Sequence, residues 1–192
     1  MPGKTANQEK EAVHIIAKSL QLYFGKMRCQ KGYCQLHASH VHWRELALSS
    51  LGCFLSMGFI TLISTHHGVP LMIPSFGASV ILLNTACHVS MAQPRNVVGG
   101  HVISALSGVS VYQLLSNDWW AITLAVVLAM ALMTLTGTLH PPGGATAFVA
   151  VYSGQNFSFI LAPVFIGSSI LILIALLINN ISSTRKYPQY WL

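Results

Sequence analysis

Residues 140–146 read HPPGGAT, a group of polar and helix-breaking residues inside a stretch that is otherwise almost entirely apolar. Proline lacks a backbone donor, and glycine is unfavourable within a helix. His140 can donate a hydrogen bond to an anion, carry a proton or cap the preceding helix. Irregular backbone at membrane depth is tolerated only where protein or a water-filled cavity surrounds it. The stretch therefore predicts a short helix that begins inside the membrane beside a polar site.

This stretch has a second copy nearer the N-terminus. Residues 74–80, PSFGASV, align without gaps on residues 141–147, PPGGATA, and each copy lies between two long apolar segments. Gly100 and Gly167 fall at the same offset. The pattern predicts an internal repeat in which each copy contains a span, a short helix and another span.

The repeat leaves two membrane topologies open. If the short helices cross the membrane, each copy has three crossings and the second copy is inverted. If they are re-entrant, the chain crosses four times and the copies are parallel. Six crossings place Arg95 on the cytoplasmic side, where positive residues are favoured. We therefore expect six crossings, with both termini in the cytoplasm.

The two motif copies have the features of an anion site. Helix N-termini carry unpaired N–H groups and a partial positive charge, proline suits the first turn, and glycine permits close approach of a ligand. Dipoles and hydroxyls are less costly in a bilayer than a fixed charge, and they release an ion more readily. The alternative is that the glycines only allow tight helix packing. The predicted binding residues are Gly77, Ala78, Ser79, His140, Pro141, Pro142, Gly143, Gly144, Ala145 and Thr146.

Three further polar residues lie at the start of the next span. Arg95 attracts anions to a pore mouth or anchors on lipid headgroups, and both interpretations stay open. Asn96 and His101 complete this secondary set. Ser79 and His140 also suggest a serine hydrolase, but no acid partner is evident, and we expect no enzyme. A membrane scaffold or sensor that transports nothing is the other alternative.

The composition indicates the elements that must position these residues. The 192-residue chain is 53% hydrophobic and 7% charged, against about 25% charged residues in a typical globular domain. Between Glu45 and Arg185, only two residues are Asp, Glu, Lys or Arg, and these are Arg95 and Asp118. We therefore predict an all-α polytopic membrane protein of about six helices, with an inverted internal repeat. The long spans are expected at 43–65, 97–115, 121–137 and 159–178, and the short helices at 74–88 and 143–152.

Charge and hydropathy divide the chain into three parts. Residues 1–42 form a basic cytoplasmic segment with an amphipathic helix over 10–24, residues 43–180 the transmembrane domain, and residues 181–192 a cytoplasmic tail. No nucleic-acid recognition motif accompanies the basic charge, so membrane lipids are the expected partner.

The basic segment also contains cysteine and histidine residues. A small metal site there is conceivable because thiolate and imidazole are zinc ligands. The spacing fits no common zinc pattern, and no metal or cofactor is predicted. The residues concerned are Cys29, Cys34, His37, His40 and His42.

The stretches FGASVILL, AQPRNVVGGHVISA and LHPPGGATA occur in this order within residues 43–178. Together they resemble the HPP family of integral membrane proteins. The resemblance implies transport of nitrite, a small monovalent anion, whereas the family is usually described with four spans. We expect a transporter or channel for such an anion. A homodimer is also expected, because the small-residue stripes 100–108 and 121–129 offer contact faces.

Overall fold

A computed structural model describes residues 3–26 and 42–191, and the chain divides into two units, Met1–Val41 and His42–Leu192. The first unit contains helix α1, Gly3–Lys26. The helix predicted over 10–24 is thus part of a longer one. Its apolar side chains Ile15, Ile16 and Leu20 are exposed. Of the cysteine and histidine residues predicted to lie near one another, all but His42 fall outside the described residues.

The second unit is helical, and the described residues contain no β-strand. A 3-10 turn, Ser90–Ala92, precedes α4, and a π-helical turn, Ile160–Phe165, leads into α7. The six α-helices are α2 Trp43–His67, α3 Pro74–Thr85, α4 Pro94–Leu115, α5 Trp119–Leu135, α6 Pro142–Tyr152 and α7 Ile166–Asn179. This order reproduces the predicted one, with short helices in second and fifth place.

Three helical segments are long and apolar enough to span a membrane. These are Trp43–His67, Pro94–Leu115 and Ile160–Asn179, while the apolar helix Trp119–Leu135 has 17 residues. The chain therefore has the architecture of a helical membrane protein.

Proline and glycine fix where several of these helices begin and end. Pro74, Pro94 and Pro142 lie in the first turns of their helices, where the missing N–H costs nothing. Gly68 ends α2 with φ +65°, a left-handed conformation that favours glycine. The local sequence therefore sets the boundaries of the short helices before any tertiary contact forms.

Contacts at the two ends of the bundle show the direction of each helix. Four helix ends meet around the chain segment that follows α7. They are the start of α2, the end of α3, the start of α4 and the end of α7. Arg95 at the start of α4 also bonds to Thr136 at the end of α5. At the opposite end, Gly154 after α6 lies beside Tyr112 of α4. The six helices therefore run alternately between two ends.

The segment after α7 is packed onto the bundle. Arg185 forms an ion pair with Glu45, the only one in the described part of the chain. Arg185 also donates to Asn84 O and to Asn179 Oδ1. Tyr187 is buried and donates to Ala92 O over 2.7 Å, and burial raises the pKa of its phenol. The predicted tail is thus an integral part of this end of the molecule.

Small residues allow α4 to approach its neighbours closely. A Cβ atom on Gly108 would lie 2.6 Å from Ala147 O in α6. Ser104 of the same stripe is also fully buried, as is Ala125 of the stripe on α5. These stripes are used within the chain, so they are not the dimer contact faces that the sequence suggested. Their role is to bring the helices close together inside one molecule.

Candidate functional site

Ser79 lies between the two histidines of the predicted site. Its Oγ atom is 2.7 Å from His101 Nε2 and 2.9 Å from His140 Nε2. The two imidazole rings approach edge to face, with centroids 4.8 Å apart. Both histidines are completely buried. A single hydroxyl therefore connects a residue of α4 with the loop before α6.

The network continues from both histidines. His101 Nδ1 is 2.8 Å from Thr146 Oγ1, which donates to Ser75 Oγ over 2.8 Å. On the other side, His140 Nδ1 is 2.8 Å from Met91 O. We call the five connected side chains the serine–histidine cluster. Its members are Ser75, Ser79, His101, His140 and Thr146.

Every member of the serine–histidine cluster is at most 1% exposed. An unpaired polar group in an apolar interior is costly, so such groups are normally hydrogen-bonded. Here all four ring nitrogens and all three hydroxyls have partners. Polar groups inside a membrane domain mark functional sites by default. The cluster is therefore the candidate site.

Three helices and one loop place the cluster. Ser75 and Ser79 are four residues apart in α3 and share a face of that helix. His101 belongs to α4, Thr146 to α6, and His140 to the loop before α6. Gly100 allows this approach, because a Cβ atom there would lie 2.6 Å from His140 Cβ. Glycine at this position is thus required by packing.

The QPRN stretch holds the loop that carries His140. Arg95 Nη2 donates to Thr136 O over 3.0 Å, and Asn96 Nδ2 donates to Leu139 O over 3.1 Å. Arg95 is exposed and lies outside the cluster, whereas Asn96 is buried. Both secondary residues act on the backbone just before His140. Their contacts indicate that they position the loop.

The backbone N–H groups that the sequence suggested as ion ligands are already paired. Gly143 N–H donates to His140 O over 2.8 Å, and Gly144 N–H to Pro141 O over 3.0 Å. At the start of α3, Phe76 N–H likewise donates to Ile73 O. These bonds form because the first helical turn is tight in both motifs. The expectation of free donors at these positions is therefore wrong, and side chains supply the polar groups.

Several predicted site residues face away from the cluster. Ala78, Pro141 and Ala145 are exposed, while Gly77, Pro142 and Gly144 are half-buried. A Cβ atom on Gly77 would meet nothing within 4 Å, and one on Gly144 only Val126 Cγ1 at 3.9 Å. Gly143 is buried, and a Cβ atom there would lie 2.6 Å from Ser104 Oγ. Among the predicted binding residues, Ser79, His140 and Thr146 contribute side chains to the cluster.

Sequence reasoning missed two partners in the network. Ser75 belongs to the quoted PSFGAS stretch, and its spacing from Ser79 is the signal that indicates a shared face. Met91 O has no such signal, because any residue type has a carbonyl. Its position depends on how the 3-10 turn packs beside His140.

Comparison with known proteins shows which family this chain resembles. The model of the HPP transmembrane region matches residues 38–188, most of the chain. The chain belongs to the HPP family. Two proteins of Dictyostelium discoideum that are named as transmembrane proteins are similar to it. One is 37% identical over 161 residues, covering 77% of this chain and 51% of the relative. The other is 40% identical over 128 residues, covering 62% and 45%.

This chain therefore spans about half the length of the curated relatives it matches. No solved structure matches it. The HPP region includes all six membrane-domain helices and the whole serine–histidine cluster.

Proposed function

We propose that this HPP-family protein moves a small monovalent anion across a membrane and that nitrite is the substrate. The observation that carries the proposal is the buried serine–histidine cluster where α3, α4 and α6 meet. Hydroxyl and imidazole N–H groups donate to an anion without a fixed charge when they exchange their bonds to one another for bonds to the ion. The nearby guanidinium groups are engaged elsewhere, Arg95 with Thr136 O and Arg185 with Glu45. Such a site binds an ion weakly enough to release it.

We also propose that the two motifs belong to an inverted repeat arranged around the cluster. Ser79 and Thr146 occupy equivalent positions in the two motifs, and they bond to the two ring nitrogens of His101. A Cβ atom on Gly143 would lie 3.1 Å from Gly100 O. The equivalent pair is Phe76 and Gly167, where a Cβ atom on the glycine would overlap the phenylalanine ring. Close contacts in one half thus have counterparts in the other.

The contacts between helices are also related by the repeat, with α2, α3 and α4 corresponding to α5, α6 and α7. Helices α2 and α3 pack together as α5 and α6 do, and α2 packs on α7 as α5 packs on α4. The pair α3 and α7 corresponds to α6 and α4. Since the helices alternate in direction and each half has three, the second half runs opposite to the first. Transporters with inverted repeats bind substrate between the halves, which is where the cluster lies.

A cleft of about 540 Å³ provides a candidate approach to the cluster. Its lining includes Pro70, Pro74, Tyr152 and Asn156. Pro74 is the residue before Ser75 in the sequence, but no member of the serine–histidine cluster lines the cleft. The cluster itself is enclosed, so the conformation is closed. Transport requires the two halves to move apart on one side at a time.

Nitrite uptake into proteoliposomes that contain the full chain tests the proposal. We expect uptake above that of empty vesicles at the same pH, and slower uptake with Ser79→Ala or His140→Ala. Ser107→Ala is the matched control, because this buried α4 serine bonds only within its own helix, to Ile103 O. Wild-type uptake at the empty-vesicle rate would contradict the function. Equal uptake by all variants would contradict the site. Competition by nitrate, formate, chloride and bicarbonate identifies the preferred anion.

The complete burial of the cluster also suits the second candidate, a membrane scaffold that transports nothing. In that case the polar network fixes the helix arrangement, and the five side chains matter only for stability. The uptake experiment separates the candidates. A scaffold gives the empty-vesicle rate with every anion tested, while Ser79→Ala lowers only the unfolding temperature.

The distance of 2.9 Å between Ser79 Oγ and His140 Nε2 is also compatible with a nucleophile and its base. The base is oriented by Met91 O, and no carboxylate of the described residues contacts either histidine. We therefore expect a serine-reactive phosphonate to leave the protein unlabelled. Covalent labelling that disappears in Ser79→Ala would instead indicate a hydrolase.

A further inference from the structure

We propose that the serine–histidine cluster holds one exchangeable proton, which His101 and His140 share through the hydroxyl of Ser79, and that this proton crosses the membrane with the anion. The second part rests on the proposed transport function. The first part concerns the cluster alone and is tested separately.

When both histidines are neutral, one arrangement pairs all four ring nitrogens, and in it the Ser79 hydroxyl points to His140 and not to Ser75 O, 3.2 Å away. Met91 O only accepts, so His140 Nδ1 carries a proton and its Nε2 accepts from the Ser79 hydroxyl. His101 Nε2 must then donate to Ser79 Oγ. His101 Nδ1 is left as an acceptor, so in the neutral pair the hydroxyl of Thr146 points towards it and no longer donates to Ser75 Oγ. The direction of the Thr146 hydroxyl thus depends on the charge of the histidine pair.

An added proton fits the same heavy-atom positions. Thr146 Oγ1 is 2.8 Å from Ser75 Oγ, with a geometry suited to donation by the threonine. When Thr146 donates to Ser75, its oxygen accepts from His101 Nδ1. Three ring protons are then present on the two histidines, one more than in the neutral pair. Every ring nitrogen still has a partner, so the cluster has a built-in position for the extra proton.

Ser79 allows the charge to move between the rings. When His140 is the cation, its Nε2–H bond breaks and Ser79 Oγ takes that proton. The hydroxyl proton of Ser79 passes at the same time to His101 Nε2. Atoms and charge balance: His140 becomes neutral, His101 becomes the cation, and Ser79 remains a hydroxyl. The distances of 2.9 and 2.7 Å are those of hydrogen bonds, so no heavy atom has to move.

The surroundings limit the cluster to one extra proton. Two cations with ring centroids 4.8 Å apart repel strongly in a low-dielectric interior. Helices α3, α5 and α7, the π-helical turn and the 3-10 turn contain no acidic, basic, cysteine or tyrosine residue. Helix α6 contains only the exposed Tyr152, and α4 has Tyr112 at its far end and Arg95, which bonds to Thr136 O. The segment between α3 and α4 contains Cys87 and His88, and Tyr187 of the tail donates to Ala92 O. Helix α2, which packs on α3, carries Arg44 and Glu45 at its start, with Glu45 paired to Arg185, and His66 and His67 at its end. The thiol of its Cys53 donates to Val80 O.

None of these groups supplies a counter-charge for the histidine pair. A monovalent anion bound at the cluster would supply it. The pair of ions is neutral, and a neutral pair is far less costly in a bilayer interior than either ion alone. The expected stoichiometry is therefore one proton for each anion.

The transport experiment uses the full chain in proteoliposomes, with nitrite uptake and internal pH followed together. We expect an inward proton gradient to drive uptake, an equal number of protons to enter, and a membrane potential set with potassium and valinomycin to have no effect. In Ser79→Ala, coupled proton entry should fall to the empty-vesicle level, whereas Ser107→Ala should retain it. Nitrite uptake that carries net charge without protons would overturn the inference but leave the transport function standing. Absence of nitrite uptake would contradict the transport function instead.

Proton binding is measured without transport by ¹⁵N NMR of the full chain labelled at histidine. His101→Gln and His140→Gln assign the two rings. We expect both rings to change together in one step that adds a single proton, and to change independently in Ser79→Ala. Two separate one-proton steps in the wild type would overturn the shared site. Ring signals that stay constant from about pH 4 to pH 9 would also overturn it.

Discussion

At the scale of single residues, the hydroxyl of Thr146 connects the two halves of the serine–histidine cluster. It is 2.8 Å from both His101 Nδ1 and Ser75 Oγ. Thr146→Val keeps the shape of the side chain but leaves these groups without a partner. A buried polar group that loses its partner costs about 1–3 kcal/mol. We expect a lower unfolding temperature and slower nitrite uptake, and Thr146→Ser should restore both.

Thr134→Val is the control for this substitution. Thr134 is exposed, and its hydroxyl bonds to Met130 O within its own helix. Thermal unfolding in detergent should therefore be nearly unchanged in Thr134→Val. If Thr146→Val also leaves unfolding and uptake unchanged, the hydrogen bonds of Thr146 contribute nothing measurable.

Much of the cluster was accessible from residue types and spacing, but its connections were not. Ser79 and Thr146 follow from the repeated motif, His140 follows from the HPPGGAT stretch, and His101 was chosen as a secondary residue. The bond between Ser79 and His101 depends on how α3 and α4 pack. The pairing of the Gly143 N–H with His140 O depends on the tightness of the first turn of α6. Neither can be read from an apolar pattern, and for this reason the sequence did not indicate that the Gly143 and Gly144 N–H groups are already paired.

At the scale of helices, glycines separate into those that packing requires and those that it does not. A Cβ atom on Gly100 would lie 2.6 Å from His140 Cβ and 2.8 Å from Thr138 O. A backbone oxygen cannot move aside alone, so Gly100→Ala must displace the loop before α6. We expect destabilisation of about 1–3 kcal/mol, measured by unfolding in detergent.

Gly144→Ala is the matched control, because a Cβ atom there meets only Val126 Cγ1, at 3.9 Å. Alanine in a helix is favoured over glycine by about 1 kcal/mol, so this variant should be as stable as the wild type or more so. Destabilisation by Gly144→Ala equal to that by Gly100→Ala would contradict the packing argument.

The helix order was predictable because apolar runs, first-turn prolines and helix-ending glycines are local signals. The partner of the small-residue face of α4 could not be predicted from the sequence. Ser104 and its glycine neighbours on α4 are typical of a dimer face in a membrane. In the folded chain this face is covered by α6. A stripe of small residues indicates a close helix contact but does not say whether the partner belongs to the same molecule.

At the scale of the whole molecule, the segment after α7 joins four helix ends. Arg185 bonds to Glu45 and Ser49 of α2, to Asn84 O of α3 and to Asn179 of α7. Its side chain is 12% exposed. Arg185→Met removes all these bonds at once and leaves their partners unpaired. We expect a clearly lower unfolding temperature, whereas Lys186→Met at the neighbouring exposed position should have little effect. Equal effects of the two substitutions would contradict a structural role for this segment.

The alternating helix directions also predict the number of membrane crossings, which is six. With six crossings, the loop after α2 and the loop between α4 and α5 lie on the same side. With two re-entrant short helices they lie on opposite sides. His67 and Asn117 are exposed residues in these places. We expect His67→Cys and Asn117→Cys, each in a chain whose natural cysteines are replaced by serine or alanine, to react with a membrane-impermeant maleimide from the same side of intact cells.

Ser90→Cys, between α3 and α4, is the matched position that should react only after the membrane is opened. Labelling of His67→Cys and Ser90→Cys from one side, with Asn117→Cys on the other, would instead establish four crossings. The alternation of α3 and α6 between the two ends of the bundle would then reflect short helices that return without crossing. Since three passes per half are what invert the repeat, this outcome would also remove the inverted repeat as support for transport at the serine–histidine cluster.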